Sequence, residues 1–420
     1  MTEVIEQKKT RVLLGLSGGV DSSAAAALLL EQGYDVVGVT LKLWPQDCVN
    51  RAEDRCCGPE AVKDARGVAH QLGIPYYLID ESAEFQRQVI GYFAEEYKAG
   101  RTPNPCVMCN QHLKFGTLLH RANQLGAQFI ATGHFARVER AAPDVAPRPA
   151  SGHSTNESPP PTPLTRPAGT LSPHPMRGEG WGEGCFSQLQ AVPAYGSGRA
   201  GERFLLKRGR DSRKDQSYFL FSLRQHQLAR SLFPLGEMTK SDTREVARHC
   251  HLKTAEKEES MEICFVPDRD YGKFLRDAKL AQNHRGDIVD THGRKLGEHD
   301  GIEFYTIGQR KGLGISSPKP LYVVELDAAN NRVIVGDDTM LERDECVVER
   351  CNWIPFDTPP ATLEVTAKIR YNHPGTAATV TPLANGSAKV KLHTPQRAVT
   401  PGQACVFYQD DLVVGGGWIV

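Results

Sequence analysis

The sequence is short of several things. Of its 420 residues 7% are aromatic, only 4 are Trp, and 50 Lys and Arg are offset by 50 Asp and Glu, so it carries no net charge. Bulk electrostatic attraction is thereby excluded, and any nucleic-acid binding must come from local basic patches. Long apolar runs are also missing. The longest aliphatic stretch, residues 24–30, is far too short to span a bilayer. Residues 1–10 are polar and lack a signal-peptide core. A cytoplasmic protein without a membrane partner is expected. With 40% hydrophobic and 24% charged residues, the composition excludes a collagen, a coiled coil and a wholly disordered chain. The 11 cysteines are an odd number, which in an intracellular chain favours thiol chemistry or metal binding over a disulfide scaffold.

The first 135 residues alternate strand and helix signals. Residues 11–16, 34–41, 74–79 and 128–131 read as strands. Residues 22–32, 60–72, 83–98 and 111–125 read as helices, the first two stopping at Gly33 and Gly73. This alternation predicts an α/β fold, a doubly wound parallel sheet, with ligands beyond the carboxyl ends of its strands. Residues 141–200 differ: 11 prolines, 8 glycines and 6 serines in 60 residues, with no apolar period. Such a stretch cannot offset its ordering entropy by burial and reads as a disordered insertion in a surface loop. Strand and helix signals resume at residues 203–208. The expected division is a catalytic domain over 1–266, a small mixed central domain over 267–336 and a C-terminal β-barrel over 341–420, built from short strands at 363–370, 377–381, 388–393 and 404–408.

Two sequence features carry chemistry. Between the first strand and the first helix lies Ser17-Gly18-Gly19-Val20-Asp21-Ser22-Ser23. Its glycines permit a sharp turn that brings N–H groups to an anion, and the following helix points its positive end there. No Lys follows the glycines, so this is not a Walker A loop. A tight turn with an Asp/Ser cap is the plainer alternative. The second feature is Cys109, in the Pro-rich stretch 101–110 just ahead of the 111–125 helix, together with Cys264 far along the chain. A helix N-terminus stabilises a thiolate. Two separated thiols suit sulfur transfer: one carries a terminal sulfur as a persulfide, and the other attacks it to release that sulfur and leave a disulfide. Cys48, Cys250, Cys346, Cys351 and Cys405 read as small buried hydrophobes.

The loop resembles that of the ATP pyrophosphatases, which split ATP between its α and β phosphates. Further stretches make the resemblance specific: 102–105 with Cys109-Asn110, Thr132-Gly133-His134 onward to 137, 214–219, 262–265, 304–314 and 398–403. The chain resembles the tRNA-specific 2-thiouridylases along nearly its whole length outside the insertion. That resemblance implies a Rossmann-like catalytic domain and an ATP-dependent sulfurtransferase acting on the wobble uridine of tRNA. Its partners would be tRNA and a persulfide-donating protein, either a cysteine desulfurase or a sulfur relay protein. It implies Cys264 as the persulfide carrier and Cys109 as the partner nucleophile. ATP contacts would fall on Gly15, Leu16, Ser17, Gly18, Gly19, Val20, Asp21, Ser22, Leu41 and Gly133, with Asp21 near Mg²⁺ or the phosphates. Contacts to tRNA would fall on Asn104, Pro105, Cys106, His134, Lys214, Asp215, Gln216, Arg370, Tyr371 and Gln403.

The residues themselves support part of this. Residues 203–214 contain six basic residues and one acid, which suits phosphate contact or a solvated face. His134 reads equally as a satisfied polar core residue, and Phe304-Tyr305 as core packing. Position 106 is Cys where many relatives carry Asp, so Cys106, Cys109 and Cys264 form three candidate ligands for an iron–sulfur cluster or Zn²⁺, with Cys56-Cys57 as a further pair. A disulfide protecting Cys109 is the alternative use of Cys106. Two other functions share these features: an ATP-pyrophosphatase ligase or amidotransferase acting on a small metabolite, which needs neither Cys, and an RNA-binding redox sensor, which would form no AMP.

Overall fold

The computed structural model describes residues 9–43, 58–141, 202–258, 263–266 and 270–420. The 142–200 part of the expected insertion, Cys48, Cys56, Cys57 and Cys185 lie outside the described residues.

A five-stranded parallel sheet forms the first layer. Its strands are β1 (Arg11–Gly15), β2 (Asp35–Lys42), β3 (Tyr76–Asp80), β4 (Phe129–Ala131) and, later in the chain, β7 (Ser231–Leu232), in the order β3-β2-β1-β4-β7. The order reverses beside β1, so the crevice between the ends of β1 and β4 is the topological switch point where such sheets take ligands. Period-two alternation sorts the β1 side chains. Val12 and Leu14 pack under helix α1 (Val20–Glu31), while Leu13 faces the opposite core with Val37, Val39 and Ile130. The Ala/Leu run of α1 is buried nearly all round because the sheet lies on one side and the later helix Lys240–His249 on the other. Helix α2 (Pro59–Gln71) covers the same face.

The next two helices each widen to a π-helix, and the second starts earlier than expected. α3 runs from Ser82–Phe85 through a π-helical stretch, Gln86–Gly91, to Tyr92–Lys98. α4 begins at Pro105–Met108, widens to a π-helix over Cys109–Thr117, and ends with Leu118–Gln124. The sequence signals place its start at residue 111. The actual start is set by Pro105, whose fixed φ and missing N–H suit the first helical turn. Among the described residues no helix is long and apolar enough to cross a membrane.

The strand at 204–208 does not join the parallel sheet. β5 (Ala136–Arg140) and β6 (Phe204–Arg208) form an antiparallel hairpin, and β6 touches the C-terminal sheet at Lys207 opposite Leu412. That sheet is a closed antiparallel barrel of six strands: β12 (Glu342–Trp353), β13 (Leu363–Lys368), β14 (Thr376–Pro382), β15 (Ala388–Arg397), β16 (Ala404–Gln409) and β17 (Leu412–Ile419), with β12 pairing β17 to close it. The barrel shares a core with the first layer, where Val406, Tyr408 and Trp418 pack with Phe115, Tyr218 and Phe221. Buried Asn352 donates to the carbonyls of Phe221 (2.7 Å) and Leu223 (2.9 Å) across that junction. Between the two in chain order comes a small mixed sheet in the order β10 (Tyr322–Asp327), β11 (Arg332–Gly336), β8 (Gly286–Asp290), β9 (Lys295–His299), in which only β11–β8 is parallel. Tyr305 is buried in its core, as its reading from sequence anticipates.

Candidate active site

At the end of β1 the chain turns through Leu16 to Asp21 into α1. Leu16 is held to β2 by its amide on the Val39 carbonyl (2.8 Å) and by its carbonyl, which accepts from Thr40 Oγ1 (2.5 Å). Within the loop the Ser17 amide donates to Ser22 Oγ (3.1 Å), and Ser23 Oγ donates to the Gly19 carbonyl (2.8 Å). Gly18 has φ +71°, in the left-handed region. The amides of Val20, Asp21 and Ser22 fall in the first helical turn, which has no intrahelical acceptors, and they point toward the switch-point crevice. Gly133, after β4, closes the crevice from the other side: a β-carbon there would lie 2.8 Å from the Ser22 amide. The two strand ends singled out in the sequence therefore meet.

Two lysines also reach this loop, and the sequence reading did not find them. Lys240 Nζ lies 2.5 Å from Asp21 Oδ1, and Lys257 Nζ donates to the Gly18 carbonyl (3.1 Å) and pairs with Asp64. They come from residues more than 200 positions downstream, so no local spacing could have disclosed them.

The cysteines form the other end. Cys109 is 9% exposed and sits in one apolar cluster with Phe85, Phe93, Leu113, Phe265 and Phe274. Cys264 packs against the same cluster, and so does Leu41 at the end of β2. The segment bearing Cys264 is anchored by its neighbour Phe265, whose ring meets Phe93 edge-on at 5.1 Å and Phe85 at 5.7 Å. A short turn, Val266 N to the Ile263 carbonyl (3.0 Å), shapes it. The two thiols thus belong to one apolar cluster. The structure corrects the electrostatic reading of Cys109. Because α4 starts at Pro105, Cys109 lies beyond the first turn, where the helix dipole has largely faded, and Cys106 occupies the dipole-favoured position. Asn110, next to Cys109, donates to the Phe219 carbonyl (3.2 Å), while its buried Oδ1 has no hydrogen-bond partner among the described residues.

The loop leading to Cys106 and Cys109 is clasped by the barrel. Thr102 N donates to the Pro401 carbonyl (2.8 Å), and Gln403 Nε2 donates to the carbonyls of Thr102 and Pro103 (both 3.1 Å). Arg101 forms a two-pronged ion pair with Glu96 (2.7 Å), fixing the loop to α3.

Family models match the chain throughout: a tRNA methyl transferase HUP domain over residues 10–152 and 184–268, a tRNA methyl transferase PRC-barrel domain over 273–337 and an aminomethyltransferase β-barrel domain over 343–419. A protein of Geobacter metallireducens named tRNA-specific 2-thiouridylase MnmA is 44% identical over 99% of this chain and 98% of its own length. One of the same name from Moorella thermoacetica is 45% identical over 97% of this chain and 98% of its own. The chain belongs to the tRNA-specific 2-thiouridylase family. Among solved structures, the U34-tRNA thiolase NcsA of Methanococcus maripaludis with its [4Fe-4S] cluster aligns at 14% identity and a TM-score of 0.31, over 65% of this chain and 66% of that one, a likeness too slight to carry an argument.

Against this thiouridylase background, the residues expected to meet tRNA fall into two groups. Arg370 is exposed, and Tyr371 lies over Phe219, ring centroids 4.4 Å apart. Lys214 is half-buried, as is Cys106, whereas Asn104 and Pro105 are buried at the start of α4. The side chains of Asp215, Gln216 and Gln403 are instead engaged within the protein. Asp215 accepts from Gly209 N, Ser217 N and Ser217 Oγ, and Gln216 Oε1 accepts from Phe135 N. His134 is packed between Phe115 and Phe233 with Nδ1 2.8 Å from Thr132 Oγ1. Burial, with Lys114 nearby, holds its pKa well below the usual histidine value, so the ring is neutral. The basic stretch 203–214 is not one solvated face either. Arg203 pairs with Asp357, Lys207 with Glu139, and Arg208 stacks on Tyr408, while Arg210 and Arg213 are exposed.

Among the described residues no group of three His, Cys, Asp or Glu side chains is arranged to hold a metal ion. Cys106, Cys109 and Cys264 therefore do not form the cluster-ligand set that their spacing in the sequence allows.

Proposed function

We propose that this chain is an ATP-dependent tRNA uridine 2-sulfurtransferase working in the cytoplasm. The observation that carries the reading is the convergence of Cys109, Cys264 and Leu41 on one cluster beneath the sheet whose switch point holds the phosphate loop. Asp21 offers the hard oxygen ligand that a Mg²⁺ bound to the nucleotide takes. The C2 oxygen of the wobble uridine attacks the α-phosphorus of ATP. The bond to the bridging oxygen breaks, pyrophosphate leaves with the electron pair, and the base loses its N3 proton to water.

Cys264, loaded as a persulfide by a donor protein, then adds its terminal sulfur to C2, and AMP departs with the former C2 oxygen. Cys109 as thiolate attacks Sγ of Cys264, and the sulfur–sulfur bond breaks. The new 2-thiouridine leaves and regains its N3 proton, and a Cys109–Cys264 disulfide remains for a dithiol reductant to reopen. Asn104, Pro105 and Cys106 line the approach of the base, and Lys214, Arg370 and Tyr371 meet the RNA around it. Methyl transfer, the reaction in the family models' names, would use neither the phosphate loop nor the paired thiols.

The test is reconstitution with ATP, Mg²⁺, a persulfide donor, a dithiol and unmodified tRNA, followed by nucleoside mass analysis. Formation of 2-thiouridine with one AMP per sulfur is expected. AMP formation driven by a small metabolite and indifferent to tRNA would establish the ligase reading instead, and tRNA binding with no AMP the redox-sensor reading.

A further inference from the structure

The phosphate loop has a deficiency that the rest of the chain makes good. Its donors are amides and the hydroxyls of Ser17, Ser22 and Ser23, which are dipoles, and no cation lies within it. The leaving group of the proposed adenylation is pyrophosphate, whose charge grows as the bond to the α-phosphorus breaks. Preorganised cations aimed at that charge are among the largest contributions to such reactions. Two ammonium groups stand at the loop, on two different elements. Lys240 opens the helix Lys240–His249, which packs along α1, and its Nζ is held at Asp21 in the first turn of that helix. Its side chain is only 13% exposed and runs past the Phe135 ring, Nζ 5.8 Å from the centroid. Lys257 reaches the loop at Gly18, where its Nζ donates to the Gly18 carbonyl and pairs with Asp64 of α2. An ammonium carries three donors, so each lysine can keep its carboxylate and still turn a proton toward a phosphate oxygen.

We propose that Lys240 and Lys257 are the pyrophosphate-binding cations of this site, taking the place that a Walker lysine fills in other phosphate loops. The assignment rests on the reading of the loop as an ATP site and deepens it. As pyrophosphate leaves with the electron pair of the broken bond, both ammonium groups donate to its oxygens. Asp21 and Asp64 hold the two side chains in place before the nucleotide arrives, so little side-chain entropy is lost on binding. The arrangement also ties nucleotide to sulfur chemistry, because Lys257 precedes Cys264 by only seven residues in the chain.

The experiment uses the full chain and inorganic pyrophosphate as the probe, measured by calorimetry. Lys240→Gln and Lys257→Gln each weaken pyrophosphate binding about 10- to 100-fold, the loss of one charge-assisted hydrogen bond, and raise the KM for ATP. AMP and tRNA affinities stay within about twofold. Lys→Arg at either position restores most of the pyrophosphate affinity. A second measurement needs no variant: pyrophosphate protects Lys240 and Lys257 of the wild-type chain from amine acylation and leaves Lys319 reactive. Wild-type protein that forms AMP and 2-thiouridine while both Gln variants bind pyrophosphate normally, or while neither lysine is protected, overturns the lysine assignment alone. Wild-type protein that binds neither pyrophosphate nor ATP overturns the ATP reading with it.

Discussion

Replacing Gly402 with Ala tests whether the barrel positions the Cys109 loop. Gly402 has φ +88°, and its amide donates to the Ile419 carbonyl (2.8 Å), so the turn is pinned to the end of β17. A β-carbon at this position would stand 2.8 Å from the Thr102 carbonyl oxygen and 3.0 Å from Arg101 Cβ. The left-handed conformation costs a non-glycine residue about 1–2 kcal/mol. Overpacking against backbone adds about 1–3 kcal/mol. The total of about 2–5 kcal/mol is relieved most easily by pushing the Arg101–Pro103 stretch outward. That breaks the three hydrogen bonds from Thr102 and Gln403 that clasp it. Asn104, Cys106 and Cys109 follow directly in the chain. The expected result is a urea midpoint lowered in proportion and thiolation slowed by about 10-fold or more, since a displacement of about 1 Å suffices for such losses. Pyrophosphate binding at the distant loop stays unchanged. Gly386→Ala is the control: it has φ +76° but nothing within 4 Å of the new methyl, so it bears only the backbone cost and leaves thiolation intact. Equal effects of the two substitutions, or a Gly402→Ala protein with wild-type stability and rate, would refute the clasp.

Cys264→Ser protein is expected to bind tRNA and ATP yet form no 2-thiouridine. Cys109→Ser protein, given one turnover without dithiol, is expected to stall with tRNA sulfur-linked to Cys264, a covalent product visible by mass and released by later addition of dithiol; release of 2-thiouridine by either variant in that dithiol-free turnover would exclude the two-thiol mechanism. Gly133→Ala places a methyl 2.8 Å from the Ser22 amide, so the KM for ATP is expected to rise at least about 10-fold through overpacking worth about 1–3 kcal/mol, read from AMP release. His134 gives a pH signature. Its folded-state pKa is depressed, so below an unfolded value of about 6.5 the unfolded chain binds a proton that the folded one refuses, and stability falls as the pH drops. His134→Gln should flatten the stability slope on the acid side of that value by up to about 1.4 kcal/mol per pH unit; an unchanged slope in urea titrations would contradict the burial argument.

What the sequence disclosed and what it hid follow from range. The first four parallel strands, α1, α2 and the barrel strands β13, β14 and β16 carry local period and punctuation and appear within about two residues of where the patterns place them, whereas β15 runs four residues further and β7, β12 and β17 were not placed. The phosphate loop was legible because its glycines, serines and helix start are contiguous. The start of α4 was misplaced because the stretch before it looks like a Pro-rich loop, and only the rule that Pro suits the first helical turn resolves it. Lys240 and Lys257 were invisible because what makes them functional is proximity to residues more than 200 positions away. The inward engagement of Asp215, Gln216 and Gln403 was hidden for the same reason. A polar side chain in a motif looks alike whether it faces a ligand or holds a neighbouring backbone carbonyl.

The β5–β6 hairpin has a practical consequence. The Ala141 amide donates to the Arg203 carbonyl at 2.8 Å, so the described chain on either side of residues 142–201 meets across a single rung. The distance to be bridged there is fixed at one strand spacing, whatever lies between. Loop-closure entropy grows only logarithmically with the length bridged. The mouth of this hairpin is therefore where the length of the connection matters least, and a chain in which residues 153–183, between the two stretches that match the catalytic-domain family model, are cut to a short linker is expected to keep its urea midpoint.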